Sequence, residues 1–241
     1  MALPLFFYDG SMEQSARLML QEDTAKHVTQ VLRMQPGDHL QLSNGRGHIV
    51  TATITRAEKK KCEVAFTSIE SIPKRIPQLH LGVAFTKNPS RNEWLLEKAT
   101  ELGASSIIPI VATRSEKTHF KAERWRNILV AASIQSRQAW LPELPIATNL
   151  NEILQQFNWV EQKLIGHCRE DLKRILLKEA MVAGKETLLL IGPEGDFTPE
   201  EINRCMESGF VGVHLGTQRL RTETAAMVCA AFFNLINSNE G

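Results

Sequence analysis

From residue 79 onward, apolar runs typical of buried strands alternate with stretches that have helical patterns. Strands covered on both faces read as continuous apolar runs, and their alternation with helices is typical of a parallel sheet. This rhythm predicts an α/β fold with helices on both faces of the sheet. The strand-like runs are LHLGVAFT, SSIIPIVA, KLIGHC, TLLLIG and VGVHLG. Helices are expected from Ser90 as N-cap to before Gly103, over 122–137, 152–157 and 171–182, after Thr198 as N-cap, and at the end of the chain.

The first 72 residues follow a different pattern. The runs DHLQLSNG, GHIVTATITR and CEVAFTSIE alternate apolar and polar residues, as strands with one face on a core do. Asn44-Gly45 predicts a tight turn between two of these strands. The segment SIPKRIP carries two prolines and marks a boundary near Ile72. We therefore expect a small antiparallel β-barrel over residues 1–72 and the α/β domain over residues 73–241.

Composition excludes several classes of protein. The formal net charge is +1, which argues against a surface that is basic all over, so any nucleic-acid surface must be a local patch. No apolar run approaches the roughly 18 residues of a membrane span. We therefore expect a soluble cytoplasmic chain without a membrane partner. The cysteines lack zinc-ligand spacing, which predicts reduced core residues and no metal site; they are Cys62, Cys168, Cys205 and Cys229.

The GPEGDF loop, residues 192–197, follows the apolar run TLLLI directly. Its position at the carboxyl edge of a parallel sheet is where open α/β folds bind ligands. An ordinary turn between strand and helix also contains glycine and proline, so the motif alone leaves both interpretations open. Neither the phosphate-loop spacing nor G-x-G-x-x-G is present, which disfavours an NTPase and a nicotinamide enzyme.

The arginine loop, residues 215–221, opens the last helix and contains Arg219 and Arg221, with Glu223 just beyond it. Two cations near the positive end of a helix oppose its dipole, which indicates that they bind a phosphate or a developing anion. A solvated helix cap, with Thr222 or Glu223 complementing the helix end, is the alternative. The helix that follows, AAMVCAAFF, is apolar on every face and predicts a subunit interface.

Five motifs together resemble the bacterial 16S rRNA uracil-N3 methyltransferases, and they occur in the order of that family along the whole chain. They are HVTQVLRMQPGD, KATELGASSIIPI, a helix ending in QSR before LPELP, GPEGDFTPEEI, and LGTQRLRTETAA. The resemblance implies a PUA-like N-terminal β-barrel and a C-terminal α/β domain of the SPOUT class with a deep trefoil knot. It also implies S-adenosylmethionine as methyl donor, a homodimer formed through the knot domain, and 16S rRNA, in the 30S subunit, as partner.

The resemblance assigns the predicted site residue by residue. Donor-binding residues are Leu190, Gly192, Pro193, Glu194 and Gly195 in one loop, and Leu215, Gly216, Leu220, Arg221 and Thr222 in another. Substrate-binding residues are Lys87, Arg91, Gln135, Arg137 and Arg219, each of which by itself would be read as a surface residue. Uracil N3 carries a proton at neutral pH, so Glu194 and Glu223 are candidate bases, and Arg221 and Arg137 are candidate stabilisers of the developing anion.

Two positions depart from the family pattern. The first strand, LPLFF, lacks the preceding arginine that many members carry, and Asp196 occupies the position of the last glycine in GPEGG. Two other functions remain open at this point. They are a ribose 2′-O-methyltransferase of the same fold and a non-catalytic RNA-binding factor in ribosome assembly.

Overall fold

The computed structural model describes residues 2–13, 16–116 and 120–238. Its contacts divide the chain into two compact units. The first unit comprises Met1–Lys74 together with Ser133–Leu141, and the second comprises Arg75–Ala132 and Pro142–Gly241. The first unit is therefore not a continuous stretch of sequence. The predicted boundary at Ile72 stays a prediction.

The first unit is built on a five-stranded sheet. Its elements are β1 (Leu5–Phe7), β2 (Arg17–Met19), α1 (Glu22–Lys26) with a π-helical turn over His27–Val31, β3 (His39–Ser43), β4 (His48–Glu58) and β5 (Lys61–Ser71). The strand order is β1-β3-β4-β5-β2. The predicted antiparallel pairing is confirmed for three pairs of strands, β3 with β4, β4 with β5, and β5 with β2. In contrast, β1 pairs with β3 in parallel.

Alternation of burial along the strands explains this sheet. Leu40, Leu42, Val50 and Ile54 turn inward into one apolar cluster, while their neighbours are more exposed. Two register shifts between β4 and β5 add local twist, which curls the sheet around that cluster. The chain reverses between β3 and β4 over residues 44–47, where Asn44-Gly45 predicted a turn, and Gly45 has a φ of 67° there.

The segment Ser133–Leu141 completes the first unit. Trp140 donates from its indole nitrogen to the carbonyl of Ile72 at 2.8 Å. A Cβ on Gly47 would lie 2.3 Å from the Trp140 ring, so only glycine permits this close approach. The sequence pattern had assigned this segment to the α/β domain.

The second unit is a parallel α/β layer structure. Its strands are β6 (Leu79–Val83), β7 (Ser106–Val111), β8 (Thr148–Asn149), β9 (Gln162–Gly166), β10 (Ile175–Leu176), β11 (Thr187–Ile191) and β12 (Val211–His214). The helices are α2 (Pro89–Glu101), α3 (Ala122–Gln135), α4 (Leu150–Gln156), α5 (Leu177–Ala180), α6 (Pro199–Glu207) and α7 (Thr222–Asn237). The strand order is β10-β12-β9-β11-β6-β7-β8, and the pairs are parallel.

Helices cover both faces of this sheet, as β11 demonstrates. Leu188 and Leu190 pack in a cluster with residues of α4 and α6, and successive strand residues point to opposite faces. Leu189 and Ile191 are also buried, and α7 packs against β6, β11 and α2. The predicted α/β fold is thus confirmed. Strand order does not define how the chain is threaded, so the trefoil knot stays a prediction.

The helix ends show which local predictions hold. The capping box of α6 is confirmed, since Glu201 donates its amide to Thr198 Oγ1 and accepts from the Thr198 amide. The cap predicted for α2 is wrong, because Asn88 rather than Ser90 accepts the first amide and Pro89 opens the helix. Glu93 instead forms an ion pair with Arg124.

The helix predicted over 171–182 is also wrong. Residues 167–174, which we call the β9 loop, are irregular, and only the four residues of α5 are helical. Arg169 donates to Asp171 within this loop, and since residues i and i+2 face different directions on a helix, the pair indicates that the backbone is not helical up to Asp171. None of the described helices has the length and apolar character to cross a membrane.

Candidate functional site

A cavity of about 600 Å³ lies in the second unit, where β9, β11 and β12 end. This is the carboxyl edge of the parallel sheet, the position at which open α/β folds bind ligands. Its volume lies within the range of ligand sites, which runs from about 300 to 1,000 Å³. The walls are the β9 loop, the GPEGDF loop, the arginine loop and the start of α7.

Several residues outside the GPEGDF loop hold it in place. Thr222 donates its hydroxyl to the carbonyl of Gly192 at 3.1 Å, and Arg114 donates to the carbonyl of Gly195 at 2.8 Å. Phe197 is fully buried in the core cluster. A Cβ on Gly192 would lie 2.9 Å from the Phe197 ring, so glycine is required where the loop folds back over this side chain.

Glu201 anchors the far end of the same loop. Its side chain accepts from the Thr198 amide, and its other oxygen accepts from the amide and the hydroxyl of Thr113, at 2.8 and 2.9 Å. The residue is buried, and a buried carboxylate is stable only when hydrogen bonds replace its water. The capping residue of α6 therefore also joins this loop to the chain that follows β7.

A small charge cluster lies at one side of the cavity. Arg91, which extends from α2, contacts Glu194 at 3.1 Å and Glu223 at 3.5 Å. Glu223 is buried in the first turn of α7, and its second oxygen has no hydrogen-bond partner among the described residues. The two carboxylates predicted as candidate bases thus contact the same guanidinium.

The arginine loop is held by fewer contacts. Gly216 has a φ of 127°, which side chains rarely adopt, and the space around it is open. Arg219 reaches the carbonyl of Glu194 at 3.4 Å, a long hydrogen bond. The exposed Arg221 side chain makes no hydrogen bond or ion pair with any residue that the structure describes.

Most of the predicted site residues come together around this cavity. The lining includes Gly192, Pro193, Glu194, Leu215, Gly216, Leu220, Arg221, Thr222, Arg91 and Arg219. Glu223 contacts the lining residue Arg91, and Gly195 lies in the chain between the lining residues Glu194 and Asp196. Leu190 belongs to the core cluster, and its neighbour Ile191 lines the cavity instead.

The other predicted substrate residues lie elsewhere. Lys87 is exposed between β6 and α2. Gln135 and Arg137 belong to the first unit, where Arg137 donates to the carbonyl of Leu3 at 3.1 Å and to Gln41 at 2.7 Å. The roles assigned to these three residues stay predictions.

The β9 loop is a wall of the cavity that the sequence analysis missed. His167, Cys168 and Arg174 line it. Cys168 is exposed, so the prediction of a core residue is wrong for this cysteine; the other three are buried. The run KLIGHC could have indicated this wall. The carboxyl ends of neighbouring parallel strands lie at the same edge of the sheet, so the residues that follow this run lie beside the two predicted loops.

His167 is buried in this wall. Neither ring nitrogen has a hydrogen-bond partner within the described part of the chain. Burial lowers the pKa of His167, because the desolvated ring disfavours the charged form, while the nearby carboxylate of Asp196 acts in the opposite direction. Burial in this wall thus favours the neutral form of the ring.

Comparisons with known proteins identify the class to which this fold and cavity belong. A family model described as RNA methyltransferase domain matches residues 73–234, and one described as RNA methyltransferase PUA domain matches residues 20–67. A probable rRNA-methyltransferase from Porphyromonas gingivalis has a crystal structure that is 36% identical, with a TM-score of 0.89 and 98% of each chain covered.

Two further relatives agree. A putative methyltransferase from Legionella pneumophila, solved in complex with the cofactor SAM, is 30% identical, with a TM-score of 0.83 over 98% of this chain and 99% of that one. A ribosomal RNA small subunit methyltransferase E from Buchnera aphidicola is 27% identical over 94% of this chain and 90% of its own length. The chain belongs to the RNA methyltransferase family, which confirms the resemblance found in the motifs.

Proposed function

We propose that this protein transfers a methyl group from S-adenosylmethionine to N3 of a specific uridine in 16S rRNA. The cavity between the three loops carries the proposal, because in a member of the RNA methyltransferase family it provides a donor site at the expected sheet edge. The relatives named as ribosomal RNA small subunit methyltransferase E support the choice of substrate.

The residues around the cavity fit the donor. Gly192 and Gly216 let backbone groups approach a ligand closely, and Leu215 and Leu220 offer apolar surface for a flat base. The carboxylate of Glu194 also lines the cavity, where negative charge favours a sulfonium. When bound, the donor supplies an electrophilic methyl group on that sulfonium.

The charges of the lining fit the other substrate. Four arginines line the cavity, Arg91, Arg174, Arg219 and Arg221, against two carboxylates, Glu194 and Asp196. The net charge of the whole chain is only +1, so this excess of positive charge is local. A cluster of this sign favours RNA phosphate and an anionic uracil.

The chemistry assigns tasks to these side chains. N3 must lose its proton to attack the methyl carbon, and Glu194 or Glu223 is the candidate to accept it. Arg221 is the candidate to stabilise the charge that then spreads over the uracil oxygens, since no described residue neutralises it. N3 lies on the base-pairing edge, so the uridine must be unpaired or flipped out of its helix.

Assembly completes the proposal. The exposed Val228 and Leu235 on α7, together with Trp94 on α2, form apolar surface that a second copy of the second unit would cover in a homodimer. The first unit would bind the RNA as a PUA-like domain. Ribosomal RNA in the 30S subunit would be the partner, which places the protein in the cytoplasm.

One experiment tests the reaction. Purified 30S subunits from cells that lack this protein are incubated with it and with methyl-labelled donor, and the product nucleoside is identified by mass spectrometry. N3-methyluridine at a single 16S position is expected. A 2′-O-methylated nucleoside would identify the alternative enzyme. Absence of both product and donor-binding heat in calorimetry would identify an RNA-binding factor.

A further inference from the structure

Asp196 has a backbone conformation that is unusual for a residue with a side chain. Its φ is 63°, in the left-handed region, where glycine is favoured and aspartate is tolerated when its side chain bonds locally. Asp196 Oδ1 accepts a hydrogen bond from the amide of Phe197 at 2.8 Å. This local bond accounts for the tolerated conformation.

The second carboxylate oxygen reaches a different loop. Asp196 Oδ2 accepts from the amide of Cys168 at 2.8 Å. β9 and β11 are neighbouring parallel strands whose ladder ends at Gly166 and Ile191, so this bond joins the two loops just beyond the end of the ladder. A backbone amide bound to a carboxylate forms one of the stronger kinds of hydrogen bond.

The joined residues belong to two different walls of the cavity. Asp196 and Cys168 both line it, on the GPEGDF loop and on the β9 loop. The ring of the neighbouring His167 is buried there without a hydrogen bond to any described residue, so it adds no polar contact between the two loops. The amide of His167 donates to the carbonyl of Val213 at 3.3 Å, a longer contact than the one to Asp196.

We propose that Asp196 is a positioning residue for the methyl donor. Its carboxylate bridges the GPEGDF loop and the β9 loop and sets the width of the cavity before the donor enters. This inference rests on the proposed function, since it concerns the donor site of the same reaction. Loss of the bridge weakens donor binding, because the binding energy must then also order the two loops.

Two substitutions separate the bridge from the charge. Asp196→Gly removes both side-chain bonds and suits the positive φ, so the variant is expected to fold. Asp196→Asn removes the charge, tolerates the same φ and leaves one acceptor oxygen for the two amides, so it can keep the bond to Cys168 only by giving up the bond to Phe197. Glu207→Gln removes an exposed carboxylate at the end of α6, outside the cavity, and is the control.

The measurements are the Kd for S-adenosylhomocysteine by calorimetry and the hydrogen-exchange rate of the Cys168 amide by NMR. Asp196→Gly is expected to raise the Kd about tenfold, equivalent to about 1.4 kcal/mol, and to speed exchange at Cys168. Asp196→Asn is expected to give a Kd between those of the wild type and Asp196→Gly, in step with its exchange rate at Cys168, and Glu207→Gln to change neither value.

Two results would overturn the inference. One is an unchanged Kd for Asp196→Gly, and the other is an Asp196→Asn variant that binds as weakly as Asp196→Gly although its Cys168 amide exchanges as slowly as in the wild type, since charge rather than position would then be responsible. Wild-type protein that binds no S-adenosylhomocysteine would instead overturn the proposed function. The exchange measurement on the free protein would still decide whether Asp196 bridges the two loops.

Discussion

The GPEGDF loop and the arginine loop face the same cavity but differ in how they are held. The first is fixed by Thr222, Arg114 and Glu201 and by its buried Phe197. The second exposes Arg219 and Arg221 and has few contacts of its own. The difference indicates that one wall is preorganised for the donor, whereas the other keeps its charges available for a substrate.

The largest effect is expected from substitution of Arg221, whose guanidinium makes no hydrogen bond or ion pair with a described residue. Arg221→Ala is expected to lower turnover about 10²–10³-fold, because one preorganised donor of stabilisation to a developing anion is lost. The Kd for the donor is expected to change far less than turnover, because the guanidinium is assigned to the developing anion, and thermal stability is expected to be unchanged, since the side chain makes no hydrogen bond or ion pair with a described residue. Labelled methylation of 30S subunits measures the first, and calorimetry and thermal unfolding measure the others. Wild-type methylation would remove Arg221 from the mechanism.

Loss of the anchor of the GPEGDF loop is expected to lower the thermal stability of the second unit. Glu201→Ala removes the acceptor of the Thr113 and Thr198 amides and is expected to cost about 1–3 kcal/mol. At about 2–4 °C per kcal/mol, the transition of the second unit should fall by several degrees. Glu207→Ala, an exposed carboxylate on the same helix, should stay within about 0.5 kcal/mol. Equal effects of the two substitutions would contradict the anchoring role.

The glycines of the two loops should behave differently. Gly192→Ala places a Cβ against Phe197 and is expected to destabilise the second unit by about 1–3 kcal/mol. Gly216→Ala meets open space but keeps a φ of 127°, so its cost is local strain in the arginine loop. Weaker donor binding at nearly unchanged thermal stability is therefore expected for Gly216→Ala. A larger loss of stability for Gly216→Ala than for Gly192→Ala would reverse the comparison.

His167, in the β9 loop, is expected to make the stability of the fold depend slightly on pH. The pKa of His167 lies below its ordinary value of 6.5, so the unfolded chain takes up this proton first as the pH falls. The neutral ring contributes fully to stability above pH 6.5, and the contribution declines as the pH drops toward the lowered pKa. The stability of His167→Phe relative to wild type should therefore improve on going from pH 7.5 to pH 5.5. A difference that does not change with pH would contradict the buried neutral ring.

Local patterns predicted much of this structure. Apolar runs predicted five strands of the second unit, because a strand buried on both faces has a continuous apolar sequence. These strands are β6, β7, β9, β11 and β12. The capping box at Thr198 was legible because its partners are three residues apart. Both loops of the predicted donor site were found from motifs that directly follow a strand.

What the sequence did not reveal depends on contacts between distant residues. The Asp196 side chain bonds an amide 28 residues earlier in the chain, and no local pattern encodes that pairing. A helix was predicted over residues 171–182 because they have helical propensity, whereas residues 171–174 belong to the irregular β9 loop and only Leu177–Ala180 are helical. Likewise, the indole of Trp140 finds its acceptor 68 residues away, at Ile72.

This last contact has a consequence for synthesis of the chain. The first unit cannot reach its final packing when its strands leave the ribosomal exit tunnel, because Trp140 is still untranslated and the space beside Gly47 is empty. At a translation rate of roughly 5–20 residues per second, several seconds pass before Trp140 is available to pack against Gly47. An isolated fragment ending at Lys74 would lack it permanently. Dissection of this protein into separately expressed halves should therefore graft residues 133–141 onto the N-terminal piece.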